Sequence, residues 1–193
     1  PAGVLAPKSK ADLAFTMHIL SWLSTSGTAA IVEFPGVLYR GGAEQKIRQY
    51  LIENNYVDAV IQLPPDLFFG TTIATCIIVL KKSKKDSKVL FVDASAECTR
   101  NGNKNKLAED NRKKILEAFT KREDAEYFAK LVDSKTIAEN DFNIAVSSYV
   151  VQKDTREAVD IKVLNTEIER IVARQSELRE AIDEIVGGIE GTK

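Results

Sequence analysis

Residues 63–82 read LPPDLFFGTTIATCIIVLKK, and two chemistries for a flat, amino-bearing substrate are suggested there. The first is a Pro-Pro pair set between a polar side chain and an aromatic ring. The polar group would accept a hydrogen bond from the amino nitrogen, and the ring would stack. Pro64-Pro65 lies between Leu63 and Asp66. Leu63 can accept only through its backbone, and Asp66 cannot stack. The pair therefore reads as a stiff connector, because proline fixes φ and removes a donor. The second is Phe68-Phe69-Gly70, two rings and a glycine just ahead of an apolar strand. At the ligand end of a sheet such a ring can stack on a planar group. Both rings would equally suit a core.

Other constellations are weaker. The loop PGVLYRGG (35–42) opens a helix and could present backbone N–H groups to phosphate. It matches neither Gly-x-Gly-x-x-Gly nor the Gly-x-x-x-x-Gly-Lys-Ser/Thr pattern, and a tight strand-to-helix connection explains it as well. At the end of a strand it could still line a crevice. His18 is the only histidine; it lies in a helical pattern with no partner motif and reads as structural. The basic run KKSKKDSK (81–88) marks a solvated turn that could also touch phosphate. Cys76 and Cys98 match no metal spacing and suggest no disulfide framework.

These residues need a scaffold, and the hydrophobic periodicities supply one. A helix is expected over 11–24 through Leu13, Met17, Leu20, Trp22 and Leu23. A short buried strand follows over 29–34, then a helix over 43–54 with Ile47, Tyr50 and Leu51 on one face. Strands are expected at 57–64, 75–82 and 88–95, the last two as a possible hairpin around the 83–88 turn. The pattern is α/β, with a mainly parallel sheet carrying an antiparallel element near its edge. Beyond Ser95 the chain turns polar. Residues 97–111 read as a Gly/Asn-rich loop, 109–123 and 125–140 as helices, and 141–151 as short and extended.

The tail has the most regular pattern. Ile161, Leu164, Ile168, Ile171, Gln175, Leu178, Ile182 and Ile185 alternate in steps of three and four, the a/d series of a coiled-coil seam. Gln175 is its one polar member, a device that sets register at some cost in stability. The series predicts contact with another long helix, in this chain or a partner, with Gly187-Gly188 ending it. An amphipathic helix packed on its own domain is the plainer reading.

Lys+Arg (27) and Asp+Glu (28) nearly balance in the 193 residues, leaving a net charge of −1. No bulk electrostatic signal for nucleic acid results, although a local basic patch stays open. No apolar run reaches the roughly 20 residues of a membrane span, and no signal peptide is visible. Two unpaired cysteines fit a reducing cytoplasm. The opening PAGVLAPKSK does not read like a natural start, and a fragment is expected.

Several long blocks now fall into one family's order. APKSKADLAF, GTAAIVEFPGVLYRGGAEQKIRQYLIEN, VDAVIQLPPDLFFGTTIATCIIVLKK, VLFVDAS and FAKLVDSKTIAENDFNIAVSSYV closely resemble the methylation (M) subunit of type I restriction-modification systems. That family comprises N6-adenine DNA methyltransferases that use S-adenosylmethionine. The resemblance implies the C-terminal half of a Rossmann-like S-adenosylmethionine-dependent methyltransferase domain, then a helical region with a long C-terminal helix. The expected divisions are 1–98, 99–160 and 161–193. The family's Gly-rich cofactor turn and Asn-Pro-Pro-aromatic motif are absent from these 193 residues; in the family both lie upstream. No catalytic residue is therefore expected in this chain, no metal, and no cofactor bound to it alone.

The resemblance implies that Phe68, with Phe69 as fallback, holds the flipped adenine beside Gly70, and that Lys10 and Asp12 line the cleft. It implies docking of the 161–185 seam on the specificity (S) subunit. A second M subunit, the restriction (R) subunit and double-stranded DNA complete the expected partners, with no membrane. Two rivals stand beside this reading. One is a non-catalytic assembly module acting through its helical tail. The other is a small α/β nucleotide-binding protein using YRGG.

Overall fold

The computed structural model describes residues 2–153 and 160–190. Its first unit, residues 1–153, is built on a sheet of five strands. Helix α1 (Asp12–Trp22) precedes β1 (Thr28–Glu33), and a 3₁₀ turn (Pro35–Leu38) leads into α2 (Ala43–Glu53). Strands β2 (Val57–Gln62), β3 (Cys76–Lys81) and β4 (Lys88–Asp93) follow. Next come a small ribbon of β5 (Thr99–Asn101) and β6 (Lys104–Lys106), then α3 (Glu109–Lys121). Strand β7 (Ala129–Asp133) and α4 (Ser134–Glu139) complete the main elements, with a 3₁₀ turn at Val146–Ser148.

The large sheet runs β1-β3-β2-β4-β7. Only β2 and β4 pair in parallel; β1–β3, β2–β3 and β4–β7 are antiparallel. The expectation of a mainly parallel sheet is therefore corrected. Strand β3 returns from β2 through a loop without a crossover helix, so it must run antiparallel. It also inserts between β1 and β2, which fills both of its edges. That excludes the β3–β4 hairpin: β4 takes the free edge of β2 instead. The connection between them crosses the start of β2, where Lys84 Nζ donates to the Val57 carbonyl at 2.7 Å.

Strand periodicity divides the core in two. Val60, Ile78 and Phe91 face one side, where Leu13 and Leu20 of α1 and Ile47 and Leu51 of α2 pack. Ala59, Ile61, Val79, Leu90 and Val92 face the other, against Ile115, Ala118 and Phe119 of α3. Burial on both faces explains the near-continuous apolar runs of β2, β3 and β4. Strand β1 differs. It lies at the sheet edge, Val32 is exposed, and Glu33 is its one buried residue. The expected buried strand is an edge strand.

Four local expectations also change. Residues 129–133, read as helix, form β7, because the open edge of β4 takes a fifth strand; Asp133 then caps α4 by accepting from the Lys135 N–H. Residues 99–106, read as loop, form the β5–β6 hairpin. Residues 141–151 are not extended throughout but hold the 3₁₀ turn. Trp22, one of the apolar residues in the helical pattern of α1, is exposed and packs tilted against His18, with ring centroids 4.7 Å apart.

The second unit, residues 154–193, contains the 30-residue helix α5 (Ile161–Glu190). The Asp160 carboxylate accepts from the Lys162 N–H at 2.9 Å and caps its first turn. Gly187-Gly188 does not end the helix, which continues to Glu190. The expected ends of the second and third segments, 154–159 and 191–193, lie outside the described residues.

Candidate functional site

Strands β1, β2 and β4 point the same way, so their carboxyl ends share one end of the sheet. Glu33, Gln62 and Asp93 mark it, and β3 starts there at Cys76. Open α/β sheets place ligands at such ends. The loop 63–75, which carries both Pro-Pro and Phe-Phe, leaves the sheet here.

Its base is rigid. The Leu63 N–H donates to the Thr75 carbonyl at 2.8 Å, and Gln62 Nε2 donates to the same oxygen at 3.1 Å. Leu63 and Pro64 are buried. Leu67 packs on the α3 side of the core. Beyond it the rings turn outward: Phe68 is 43% exposed and Phe69 97%. Neither is a core residue. Gly70 has φ +75°, in the left-handed region where a side chain would be strained although no atom would obstruct it. The Thr71 hydroxyl accepts from the Ile73 N–H and closes the turn.

Asp66, dismissed from stacking, is the anchor of this loop. It adopts φ 58°. Its carboxylate accepts from Arg100 NH1 at 3.1 Å, and its carbonyl accepts from the Asn105 N–H at 3.0 Å. Asn105 Nδ2 also donates to the Pro65 carbonyl at 2.9 Å, and Lys104 Nζ to the Thr71 carbonyl at 2.9 Å. The β5–β6 hairpin thus grips the loop on both sides of the phenylalanines. Reading the sequence as a linker missed these residues. The signal was present: Asn101-Gly102 is a strong hairpin dipeptide.

Asp12 begins α1, and its charge reaches the buried Glu33 carboxyl at the end of β1. Lys10 is exposed ahead of that helix. Glu33, at the end of β1, pairs in register with Cys76, where the phenylalanine loop enters β3. Glu33 itself escaped sequence reasoning. Burial pushes its carboxyl above the usual range, Thr16 opposes that through a hydrogen bond, and Asp12 adds to it.

Other candidates have structural partners. The carbonyls of the PGVL turn are occupied, Val37 by Arg48 NH1 at 2.9 Å and Leu38 by the Ile144 N–H at 2.9 Å. In the basic run, Lys82 Nζ donates to the Leu23 carbonyl at 2.6 Å, and Lys84 to Val57. This run lies at the opposite end of the sheet from the phenylalanines. Among the described residues no group of three or more His, Cys, Asp or Glu could hold a metal ion. Both cysteines are free.

On α5, the apolar seam residues Ile161, Leu164, Ile168, Ile171, Leu178, Ile182 and Ile185 are exposed, as is Gln175 among them. No described helix is long and apolar enough to cross a membrane.

The first unit is a mixed α/β sheet, and the second holds a long exposed helix. The chain belongs to the N-6 DNA methylase family, whose model matches residues 1–158. It is 48% identical over 190 residues to the type I restriction enzyme MpnII methylase subunit of Mycoplasma pneumoniae. That alignment takes in 98% of this chain and 35% of the relative. It is 33% identical to the MjaVII methylase subunit of Methanocaldococcus jannaschii, over 98% of this chain and 33% of that protein. The crystal structure of a type I restriction-modification methyltransferase subunit from Streptococcus thermophilus superposes with a TM-score of 0.76 at 45% identity. It covers 78% of this chain and 32% of its own. The chain therefore spans about a third of the length of the relatives it matches.

Proposed function

We propose that this chain contributes part of the target-base pocket and a docking helix to an N6-adenine-specific DNA methyltransferase of a type I restriction-modification assembly. It would form the C-terminal half of that enzyme's Rossmann-like domain. The observation that carries the reading is the 63–75 loop at the ligand end of the sheet, with Phe68 and Phe69 exposed to solvent. Adenine must leave the duplex before its amino nitrogen can attack a methyl donor. A ring that stacks on the flipped base offsets part of that cost. Phe68 is the first candidate because it combines partial burial with exposure, so its ring is held as well as presented. Phe69 is the second.

S-adenosylmethionine supplies the methyl group in this reaction. The Gly-x-Gly turn expected to cradle it does not occur in these 193 residues. No step is assigned to this chain through the cofactor. Alone, it neither binds S-adenosylmethionine nor methylates DNA, and calorimetry on the isolated chain checks this.

The base-pocket role is tested in the complete methylase assembled with its specificity subunit, with methyl transfer read on unmodified double-stranded DNA and base flipping read on separate DNA carrying fluorescent 2-aminopurine, which has no 6-amino group, in place of the target adenine. Stacking on an aromatic side chain contributes about 1–3 kcal/mol per base. Phe68→Ala should therefore slow methyl transfer by about tenfold or more and lower the fraction of flipped base, with cofactor affinity unchanged. Wild-type rate and fluorescence in both Phe68→Ala and Phe69→Ala would sink the proposal.

The exposed α5 seam favours the assembly role: docking on the specificity subunit, in an assembly that also holds a second methylation subunit and the restriction subunit. If the phenylalanines prove inert and the seam proves essential, the chain is a non-catalytic assembly module.

A further inference from the structure

We propose that the β5–β6 hairpin is a latch that sets the position of the Phe68-Phe69 loop, and that Arg100 is its central positioning residue. This rests on the reading of those phenylalanines as the base-holding pair.

The segment 99–106, TRNGNKNK, carries Arg100, Lys104 and Lys106 and no acid. So basic a ribbon beside a proposed base pocket suggests a phosphate contact. The hydrogen bonds argue otherwise. Arg100 Nε donates to the Gly102 carbonyl at 3.1 Å, and its NH2 to the Asn103 carbonyl at 2.9 Å, so the guanidinium closes its own hairpin tip. Its NH1 spans to Asp66 Oδ2 at 3.1 Å and to Asn105 Oδ1 at 3.3 Å. Lys104 is committed to the Thr71 carbonyl, with Asp66 Oδ1 3.9 Å away. Two of the three cations thus have partners within the chain, at its surface.

The places they hold are specific. Pro65 and Asp66 lie before the phenylalanines, Thr71 after them. Between these clamps run Leu67 to Gly70, which the loop itself closes by a long bond from the Asp66 N–H to the Thr72 carbonyl at 3.4 Å. A planar guanidinium with its donors in a fixed fork suits such bridging, and a lysine ammonium cannot reproduce it. A single exposed ion pair would hold little; here one guanidinium, one amine and one asparagine act on the same short loop. Positioning of this kind matters to chemistry because a 1 Å misplacement can cost about 10²-fold in rate.

Two measurements test this. The first is amide hydrogen exchange across residues 66–73 in the complete methylase assembly, comparing wild type, Arg100→Ala and Arg100→Lys. Arg100→Ala should speed exchange in that loop by about tenfold, with β2 and β3 unchanged, and Arg100→Lys should not restore protection. Equal exchange in all three overturns the latch.

The second is methyl-transfer kinetics with Arg100→Ala, Asp66→Asn, their double variant and Phe68→Ala. Each single latch variant should lower kcat by about tenfold with KM for DNA within about twofold, and the double variant should be no worse than Arg100→Ala alone, since Asp66→Asn weakens a contact that Arg100→Ala already removes. A rise in KM for DNA with a shallower salt dependence and an unchanged kcat would make Arg100 a phosphate contact and overturn the proposal. Unchanged kinetics in Arg100→Ala with a disabled Phe68→Ala would also overturn it. An inert Phe68→Ala with faster exchange in Arg100→Ala would instead remove the base-holding role, and with it the function assigned to the latch, while leaving the clamp as a structural fact.

Discussion

Thr16 Oγ1 donates a 2.9 Å hydrogen bond to Glu33 Oε1, joining the middle of α1 to the end of β1 with both side chains buried. One strand over, the Cys76 thiol donates to the Glu33 carbonyl at 3.4 Å. Burial, with the Glu33 charge adding to it, pushes that thiol up to about 12. Glu33 is thus a carboxyl held away from water, with Asp12 as its acidic neighbour.

Its titration should be visible in stability. Burial raises the Glu33 pKa above its ordinary value of 4.5. A raised carboxyl favours folding while it is protonated, so its contribution is complete below that ordinary value and is lost as pH rises through the higher folded one. Urea unfolding from about pH 4 to pH 8 should show Glu33→Gln gaining on wild type as pH rises. Thr16→Val, which strips the carboxyl of its donor, should cost about 1–3 kcal/mol at neutral pH. A Glu33→Gln difference that stays flat with pH refutes the assignment.

Arg48 is the largest fully buried side chain. Its Nε donates to the Phe142 carbonyl at 2.8 Å and its NH1 to the Val37 carbonyl at 2.9 Å, so one residue of α2 ties the strand-to-helix turn to the 141–150 segment. Burial lowers its pKa to about 10, partly offset by Glu44, and it stays charged at neutral pH. Arg48→Met leaves two carbonyls without their donor, while Glu44 keeps Arg40 NH1 at 3.4 Å; the unpaired carbonyls cost on the order of 3–5 kcal/mol together. For a chain of this size that lowers Tm by about 10 °C or more. Arg48→Lys should recover less than half, because one ammonium cannot span both carbonyls. A Tm within about 2 °C of wild type for Arg48→Met contradicts this role.

What the sequence disclosed follows from what is local. The apolar periodicities of α1, α2, β2, β3 and β4 reflect their own burial, and each element formed close to where its pattern lay. Strand order was not legible, because whether β4 pairs with β3 or β2 depends on which edges are already taken. Strand β7 was misread for the same reason: AKLVD gains its conformation from the open edge of β4, overriding a helical pattern. At the candidate site, Phe68 and Phe69 were visible as residue types, but their exposure was not. The role of Asp66 depends on Arg100, 34 residues away, and no spacing rule links them.

The α5 seam yields the final prediction. A helix of 30 residues leaves Ile171, Leu178 and Ile182 exposed, although in proteins most helical stability comes from packing of an apolar face rather than from propensity. Burying one such side chain contributes about 1.5–3 kcal/mol. Ile171→Asp and Leu178→Asp should each weaken association with the specificity subunit by about tenfold or more, while the urea midpoint of the sheet unit stays at its wild-type value. Gln175→Leu should tighten association and broaden its stoichiometry, because the polar residue at the seam restricts register at a cost in stability. Sedimentation velocity on mixtures of the methylase and specificity subunits reads both effects. Unchanged association in the double Ile171→Asp/Leu178→Asp variant places the docking surface elsewhere.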